Sequence, residues 1–154
     1  HHKKLGIIES LIYHNADVNL SNNLGLVSLH FVENSTEAVK TLLAARADIH
    51  KATHGGLTPL YTVAYKGVSE NVKALLEARA DIHKATHGGH TPLHCAAEQG
   101  HENVVTILMD KRASIDAKGK SGLTALDHAS KNGHENVVKI IQEQFGGTDL
   151  GDVD

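Results

Sequence analysis

Residues 47–56 read ADIHKATHGG, and residues 80–89 repeat the same ten letters 33 positions later. The match extends in both directions, since residues 42–60 and 75–93 differ at two positions only. A segment that recurs at a fixed period of this length is typical of proteins built from stacked repeats. The period therefore determines how the rest of the chain is divided.

Weaker copies of the same unit lie on both sides of this pair. Residues 100–105, GHENVV, recur unchanged as residues 133–138, again at an offset of 33. Towards the N-terminus, residues 16–18 match the next copy at an offset of 31, which places a two-residue deletion between His30 and Val39. Nearly the whole chain is thus covered by related units.

The sequence of each full unit predicts two short helices separated by a glycine. A threonine followed by proline, at residues 58–59 and 91–92, supplies a helix N-cap and a first helical turn with its φ already set. Apolar residues then recur at i, i+3 and i+4, the spacing of one helical face. The predicted core positions and glycine breaks are Leu60, Val63, Ala64, Leu93, Ala96 and Ala97 on first helices, Gly67, Gly100 and Gly133 as breaks, and Val39, Leu42, Leu43, Val72, Leu75, Leu76, Val105, Leu108, Met109, Val138 and Ile141 on second helices.

These linked motifs resemble the ankyrin repeat. Residues 58–61 (TPLY), residues 91–97 (TPLHCAA) and the Gly100-His101 step match its period and its TPLHxA signature. The resemblance implies an all-α repeat solenoid of stacked helix-turn-helix units. It also implies that short β-hairpin fingers join the units, at residues 51–57, 84–90 and 117–123.

We expect one ankyrin-repeat domain over residues 1–154. At the C-terminus Gln142 replaces an apolar core residue, as a polar outer cap requires. At the N-terminus Ile8, Leu11 and Ile12 occupy second-helix core positions with no first helix before them, so we expect a fragment of a longer array. The predicted units are a partial repeat at 5–21, a degenerate repeat at 22–54, repeats at 55–87 and 88–120, a capping repeat at 121–146 and an acidic tail at 147–154.

The unit that begins at Leu24 departs from the pattern. Residues 27–30 read VSLH instead of Thr-Pro-Leu-His, and the two-residue deletion follows. Loss of a threonine N-cap costs about 1 kcal/mol. We therefore expect this unit to fray before the central pair of repeats.

Composition excludes several classes of function. A formal net charge of −3 lacks the strongly basic balance that drives non-specific nucleic-acid binding. No apolar run approaches the roughly 20 residues that span a bilayer, so we expect no membrane insertion. The single cysteine, Cys95, forms no internal disulfide, which suits a reducing compartment. These features predict a cytoplasmic monomer.

Thirteen histidines make a metal or catalytic site a candidate. The resemblance gives His30, His94, His101 and His134 local structural roles. Three finger histidines (His83, His87 and His90) are the best metal candidates, but adjacent layers of stacked helices lie about 10 Å apart, whereas imidazoles bind zinc at about 2 Å. Cys95 and His94 are neighbours in sequence, yet neighbouring side chains on a helix point in different directions, so they do not form a nucleophile pair. We therefore expect no catalytic residue, metal or cofactor.

Function is then expected at the solvent-facing positions that vary between units. In the ankyrin family these lie on the fingers and on the outer face of the first helices, which line a concave surface. The resemblance implies a non-catalytic module that binds a partner protein there, and the basic fingers favour a partner with an acidic surface. The alternative is the targeting arm of a larger enzyme or host-directed effector. The predicted partner-binding residues are Lys51, His54, Thr62, Tyr65, Lys66, Lys84, His87, His90, Cys95, Glu98, Gln99, Lys118, Lys120, His128 and Lys131.

One position also resembles a modification site. Asn19, with His50, His83 and Asp116 at the equivalent positions of later units, resembles the residues that an asparaginyl hydroxylase modifies in animal ankyrin repeats.

Overall fold

A computed structural model describes residues 2–32 and 35–146 of the chain. The described residues form eight α-helices and one short 3-10 helix, in agreement with the predicted all-α repeat architecture. The helices are α1 (His2–Tyr13), the 3-10 helix (Ser28–Phe31), α2 (Thr36–Ala44), α3 (Pro59–Tyr65), α4 (Ser69–Glu77), α5 (Pro92–Gln99), α6 (Glu102–Asp110), α7 (Ala125–Lys131) and α8 (Glu135–Gly146).

The helices pack in two layers. The 3-10 helix, α3, α5 and α7 follow one another in the first layer, and α1, α2, α4, α6 and α8 form the second. Each first-layer helix also packs on the second-layer helix that follows it, so the core is continuous along the stack. From α2 onwards the predicted core positions are buried, except that Leu43, Leu76 and Val138 are half-buried at the edge of the core.

Threonine begins each regular first-layer helix, and two of the three hydroxyl groups cap it. Thr58 Oγ1 accepts from the Tyr61 N–H, and Thr124 Oγ1 accepts from the Asp127 N–H, both at 3.2 Å. Thr91 makes no such cap bond; its hydroxyl lies 2.8 Å from His94 Nδ1. The predicted helix starts are therefore confirmed, while one threonine has a different partner.

The fingers are turns rather than the expected β-hairpins, since the described residues include no strand. Consecutive fingers are joined through a single backbone hydrogen bond at each step, which is too few for a strand ladder. The three bonds are His54 N–H to Leu24 O at 3.1 Å, His87 N–H to Gly55 O at 3.1 Å, and Lys120 N–H to Gly88 O at 2.9 Å.

A buried asparagine compensates for the shortened second unit. Asn71 on α4 is fully buried, where other second-layer helices carry Ala38, Val104 or Val137. Its Nδ2 donates to the Val32 carbonyl at 3.3 Å, and its Oδ1 accepts from the Thr36 hydroxyl at 3.0 Å. Because Val32 ends the 3-10 helix, Asn71 satisfies a carbonyl that a longer helix would have used itself.

The N-terminal helix is less covered than its pattern predicts. Ile8 and Ile12 are half-buried, but Leu11 is 54% exposed and is not a core residue. The equivalent Leu42 of α2 is covered because the 3-10 helix packs on α2, and no helix of the described residues covers Leu11 in this way. At the other end Gln142 is exposed on α8, as a polar cap requires.

We expect Val27→Thr to stabilise the second unit by about 0.5–1 kcal/mol, because a threonine at this position caps the helix in two other units. Val27 is buried, and its N–H already donates to His30 Nδ1 at 3.2 Å, as the Thr91 N–H does to His94. Urea unfolding and amide exchange of residues 28–44 measure the change. A destabilised variant would show that the buried hydroxyl costs more than the cap returns.

Candidate functional site

The predicted finger residues lie in solvent and repeat from finger to finger. Six of the seven are exposed, and only His90 is half-buried. Because the bonds between fingers join equivalent positions, His54, His87 and Lys120 share one place in successive fingers. We call the six exposed cations and histidines the finger row, which consists of Lys51, His54, Lys84, His87, Lys118 and Lys120.

The first-layer helices contribute a more mixed surface. Tyr65 is 50% exposed at the end of α3, and its carbonyl accepts from His101 Nε2 at 2.9 Å. Thr62 and Glu98 are half-buried, and the Thr62 hydroxyl donates to the Thr58 carbonyl at 3.2 Å. The remaining predicted residues on this layer are exposed, namely Lys66, Gln99 and Lys131.

Two predicted surface residues are not on the surface. Cys95 is completely buried, and its thiol donates to the Pro92 carbonyl at 3.1 Å. Burial raises the pKa of this thiol well above its usual range, so no thiolate is available at neutral pH. His128 is only 7% exposed. Neither residue can contact a partner directly, because both lie between neighbouring first-layer helices.

His128 belongs to a cluster of three imidazoles between α5 and α7. The rings of His90 and His94 are stacked with centroids 5.6 Å apart, and the His128 ring lies edge-on, 4.9 Å from His90 and 5.8 Å from His94. A methyl group at Gly119 would lie 2.8 Å from Cδ2 of His90, so the next finger also packs on the cluster. We call these three residues the imidazole cluster.

His94 is fixed by hydrogen bonds at both ring nitrogens. Its Nδ1 accepts from the Thr91 N–H at 3.2 Å, and its Nε2 donates to the Leu123 carbonyl of the next finger at 3.2 Å. Burial lowers the pKa of His94, and the neighbouring His90 and His128 lower it further. At neutral pH this ring is therefore uncharged.

His128 is held less completely. Its Nδ1 lies 3.9 Å from Glu98 Oε1, which is too long for a hydrogen bond. Its Nε2 is buried and has no hydrogen-bond partner. A buried, unpaired nitrogen is costly, so this side of the cluster carries a destabilising feature.

The other structural histidines behave as the resemblance implies. His30 Nε2 donates to the Leu57 carbonyl at 2.9 Å, which links the second unit to the next finger. His101 and His134 donate to the carbonyls of Tyr65 and Glu98, both at 2.9 Å, and so link second-layer helices to the preceding unit.

No metal centre is assembled in the part of the chain that the structure describes, since no three histidine, cysteine or acidic side chains there could share an ion. His90 packs on His94 and His128 rather than forming a group with His83 and His87.

Asn19 is bound to the next unit. Its Oδ1 accepts from the Asp48 N–H at 2.6 Å, and its Nδ2 donates to the Arg46 carbonyl at 3.1 Å. The hydroxylation that its position suggests stays a prediction.

Sequence reasoning missed the imidazole cluster, although the repeat contains the signal. His90 stands where the other fingers carry Leu26, Leu57 and Leu123. His128 stands where earlier units carry Thr62 and Cys95. Both residues depart from the repeat pattern, and their positions come into contact when neighbouring units stack. The two substitutions together therefore mark the cluster.

Comparison with known proteins agrees with this architecture. The family model described as ankyrin repeats in three copies matches residues 1–86 and 63–154. No curated protein matches the chain significantly. In residues 2–32 and 35–146, every helix is too short or too polar to cross a membrane. Because the family matches overlap and together span the sequence, the chain belongs to the ankyrin-repeat family.

Proposed function

We propose that this chain is a non-catalytic module that binds a partner protein with an acidic surface. Ankyrin repeats generally serve protein–protein interaction. The observation that supports an acidic partner is the finger row, a set of exposed basic residues placed at related positions in three consecutive fingers.

The turns of the fingers are basic, although exposed Asp48, Asp81 and Asp116 lie just before them in the chain. Residues 51–57, 84–90 and 117–123 contain no acidic residue. Exposed glutamates instead lie on second-layer helices, at Glu70, Glu77, Glu102 and Glu135. A basic edge on a protein of net charge −3 attracts an acidic surface while the rest of the molecule repels it, which orients the encounter.

Tyr65 is the best candidate for an anchor beside the finger row. It is half-exposed, whereas the core positions Leu60, Val63 and Ala64 of the same helix are buried. Tyrosine is enriched at interface positions that dominate binding energy, since its ring adds apolar area and its hydroxyl adds a hydrogen bond. The bond from His101 to its carbonyl holds the backbone at this point.

Reversing the charge of the four finger lysines should weaken binding of the partner protein. We expect the variant with glutamate at Lys51, Lys84, Lys118 and Lys120 to lose partner binding by at least about tenfold and to lose its salt dependence, because rim charges govern steering and salt response. Affinity capture from a host lysate, followed by mass spectrometry and a salt titration of the captured partner, measures both effects.

A matched control reverses four lysines elsewhere. Glutamate at Lys40, Lys73, Lys111 and Lys139, all exposed on or beside second-layer helices, changes the net charge by the same amount. Binding should survive in this control. Equal binding by both variants, or equal loss in both, would contradict recognition by the finger row.

A further inference from the structure

The imidazole cluster occurs at one junction of the stack, and a second junction provides an internal comparison. His30 makes the same two bonds as His94, from the N–H of the residue that begins its helix and to the carbonyl of the next finger. The positions that correspond to His90 and His128 around His30 are Leu26 and Thr62, which do not titrate. The three-ring arrangement is therefore specific to the junction between α5 and α7.

The hydrogen bonds of His94 require an uncharged ring. The Thr91 backbone N–H can only donate, so Nδ1 must keep its lone pair. The Leu123 carbonyl can only accept, so Nε2 must carry the hydrogen. Protonation of Nδ1 would place two donors against each other and break the bond from the Thr91 N–H, which leaves the Thr91 hydroxyl, 2.8 Å away, as the acceptor for the new hydrogen.

A positive charge on either of the other two rings would also destabilise the packing around His94. The centroids lie 4.9–5.8 Å apart, a separation at which like charges repel strongly when they are partly buried. His90 is half-buried, so solvent reaches its ring. Its charge would face two other basic rings and the backbone of the Lys118–Lys120 finger.

The acidic groups around the cluster can neutralise only part of the charge that its protonated rings would carry. Glu98 lies 3.9 Å from His128 and can neutralise one charged imidazole. Asp127 interacts with both His128 and Lys118, and its two hydrogen bonds hold it at Thr124. The titratable groups on the elements packed around the cluster are Tyr61 on α3, Cys95 and Glu98 on α5, Asp127 and Lys131 on α7, Lys118 and Lys120 on the next finger, His87 on its own finger, and His134 before α8.

We propose that the imidazole cluster is a proton-sensitive latch, which holds α7 and α8 against α5 while its rings are neutral and releases them in mild acid. A free histidine has a pKa near 6.5. Because burial and the two neighbouring rings disfavour protonation of His94, the unfolded junction binds more protons than the folded one, so stability falls as pH drops below about 6.5. The junction loses the bond from the Thr91 N–H to His94 and the packing of His128 against that ring.

Amide exchange resolved along the chain tests the latch. We expect protection of residues 124–141, corrected for the intrinsic rate, to fall several-fold more than protection of residues 69–77 between pH 7.5 and about pH 5.5. The variant His90→Leu with His128→Thr uses residues that the chain itself carries at these positions, and it should lose this difference. The control variant His54→Asn with His87→Asn also removes two histidines, both exposed, and should behave as the parent chain.

Several results would overturn the latch. One is an equal acid response in all helices of the parent chain. Another is an acid response at residues 124–141 that persists in the double variant. If that variant does not fold, a proton NMR titration of the parent chain decides the matter, because a His94 ring that titrates at the ordinary value of about 6.5 contradicts the proposal.

Discussion

Replacing Leu93 with alanine should lower the free energy of unfolding by about 3–5 kcal/mol, the range found for fully buried leucines. Leu93 is completely buried in α5, which packs on α3, α6 and α7. Ala96 and Ala97 lie on the same face of α5. They offer no long side chain that could collapse into the cavity, so we expect the loss of unfolding free energy to fall at the upper end of this range.

Leu126→Ala is the matched control for this substitution. Leu126 occupies the same repeat position one unit later, but it is only half-buried because no first-layer helix of the described residues follows α7. Its removal should cost about 1–2 kcal/mol, since a partly exposed side chain loses less transfer energy and leaves no closed cavity. Urea unfolding of both variants makes the comparison. Equal costs would contradict a core that continues through α5 and ends at α7.

The sequence predicts the core well because a stack repeats its contacts. Leu60 and Leu93 are 33 positions apart and are equally buried, since each lies between a preceding and a following unit. The threonine-proline starts and the glycine breaks are local signals, and they mark the observed ends of the helices within the central units.

Position in the repeat does not by itself determine exposure. Leu11 has the pattern of a core residue and is mostly exposed, because burial depends on a neighbouring helix as well as on the helix itself. Cys95 shows the opposite error. Its position in the repeat predicts the outer face of α5, yet its thiol lies 3.6 Å from the Tyr61 carbonyl of α3, because such small side chains let the helices approach closely.

Contacts between residues that both depart from the repeat pattern are the hardest to predict from the sequence. Asn71 meets the Val32 carbonyl at the C-cap of the short 3-10 helix of the preceding unit. His90 and His128 meet His94 only after the fingers and first-layer helices stack. Each residue is unremarkable within its own unit. The pairs become informative when both substitutions are placed on the shared repeat positions.

Replacing Gly100 with alanine should destabilise the chain more than the same change at Gly133. Both glycines end first-layer helices, with φ of 76° and 74°. A left-handed alanine costs about 1–2 kcal/mol at either position. Only at Gly100 would the new methyl carbon meet a neighbour, since it would lie 2.6 Å from His134 Nδ1, whereas nothing lies within 4 Å at Gly133.

The additional cost at Gly100 should be about 1–3 kcal/mol, the penalty for losing a partly buried hydrogen bond. To make room, the His134 ring must move, and it would then lose the bond from its Nε2 to the Glu98 carbonyl at 2.9 Å. The difference in unfolding free energy between the two variants isolates this contact, because the backbone strain cancels. If Gly100→Ala and Gly133→Ala cost the same, the link between α8 and the preceding unit through His134 contributes no measurable stability. A larger cost at Gly100 would show that the Gly-His step joins consecutive units.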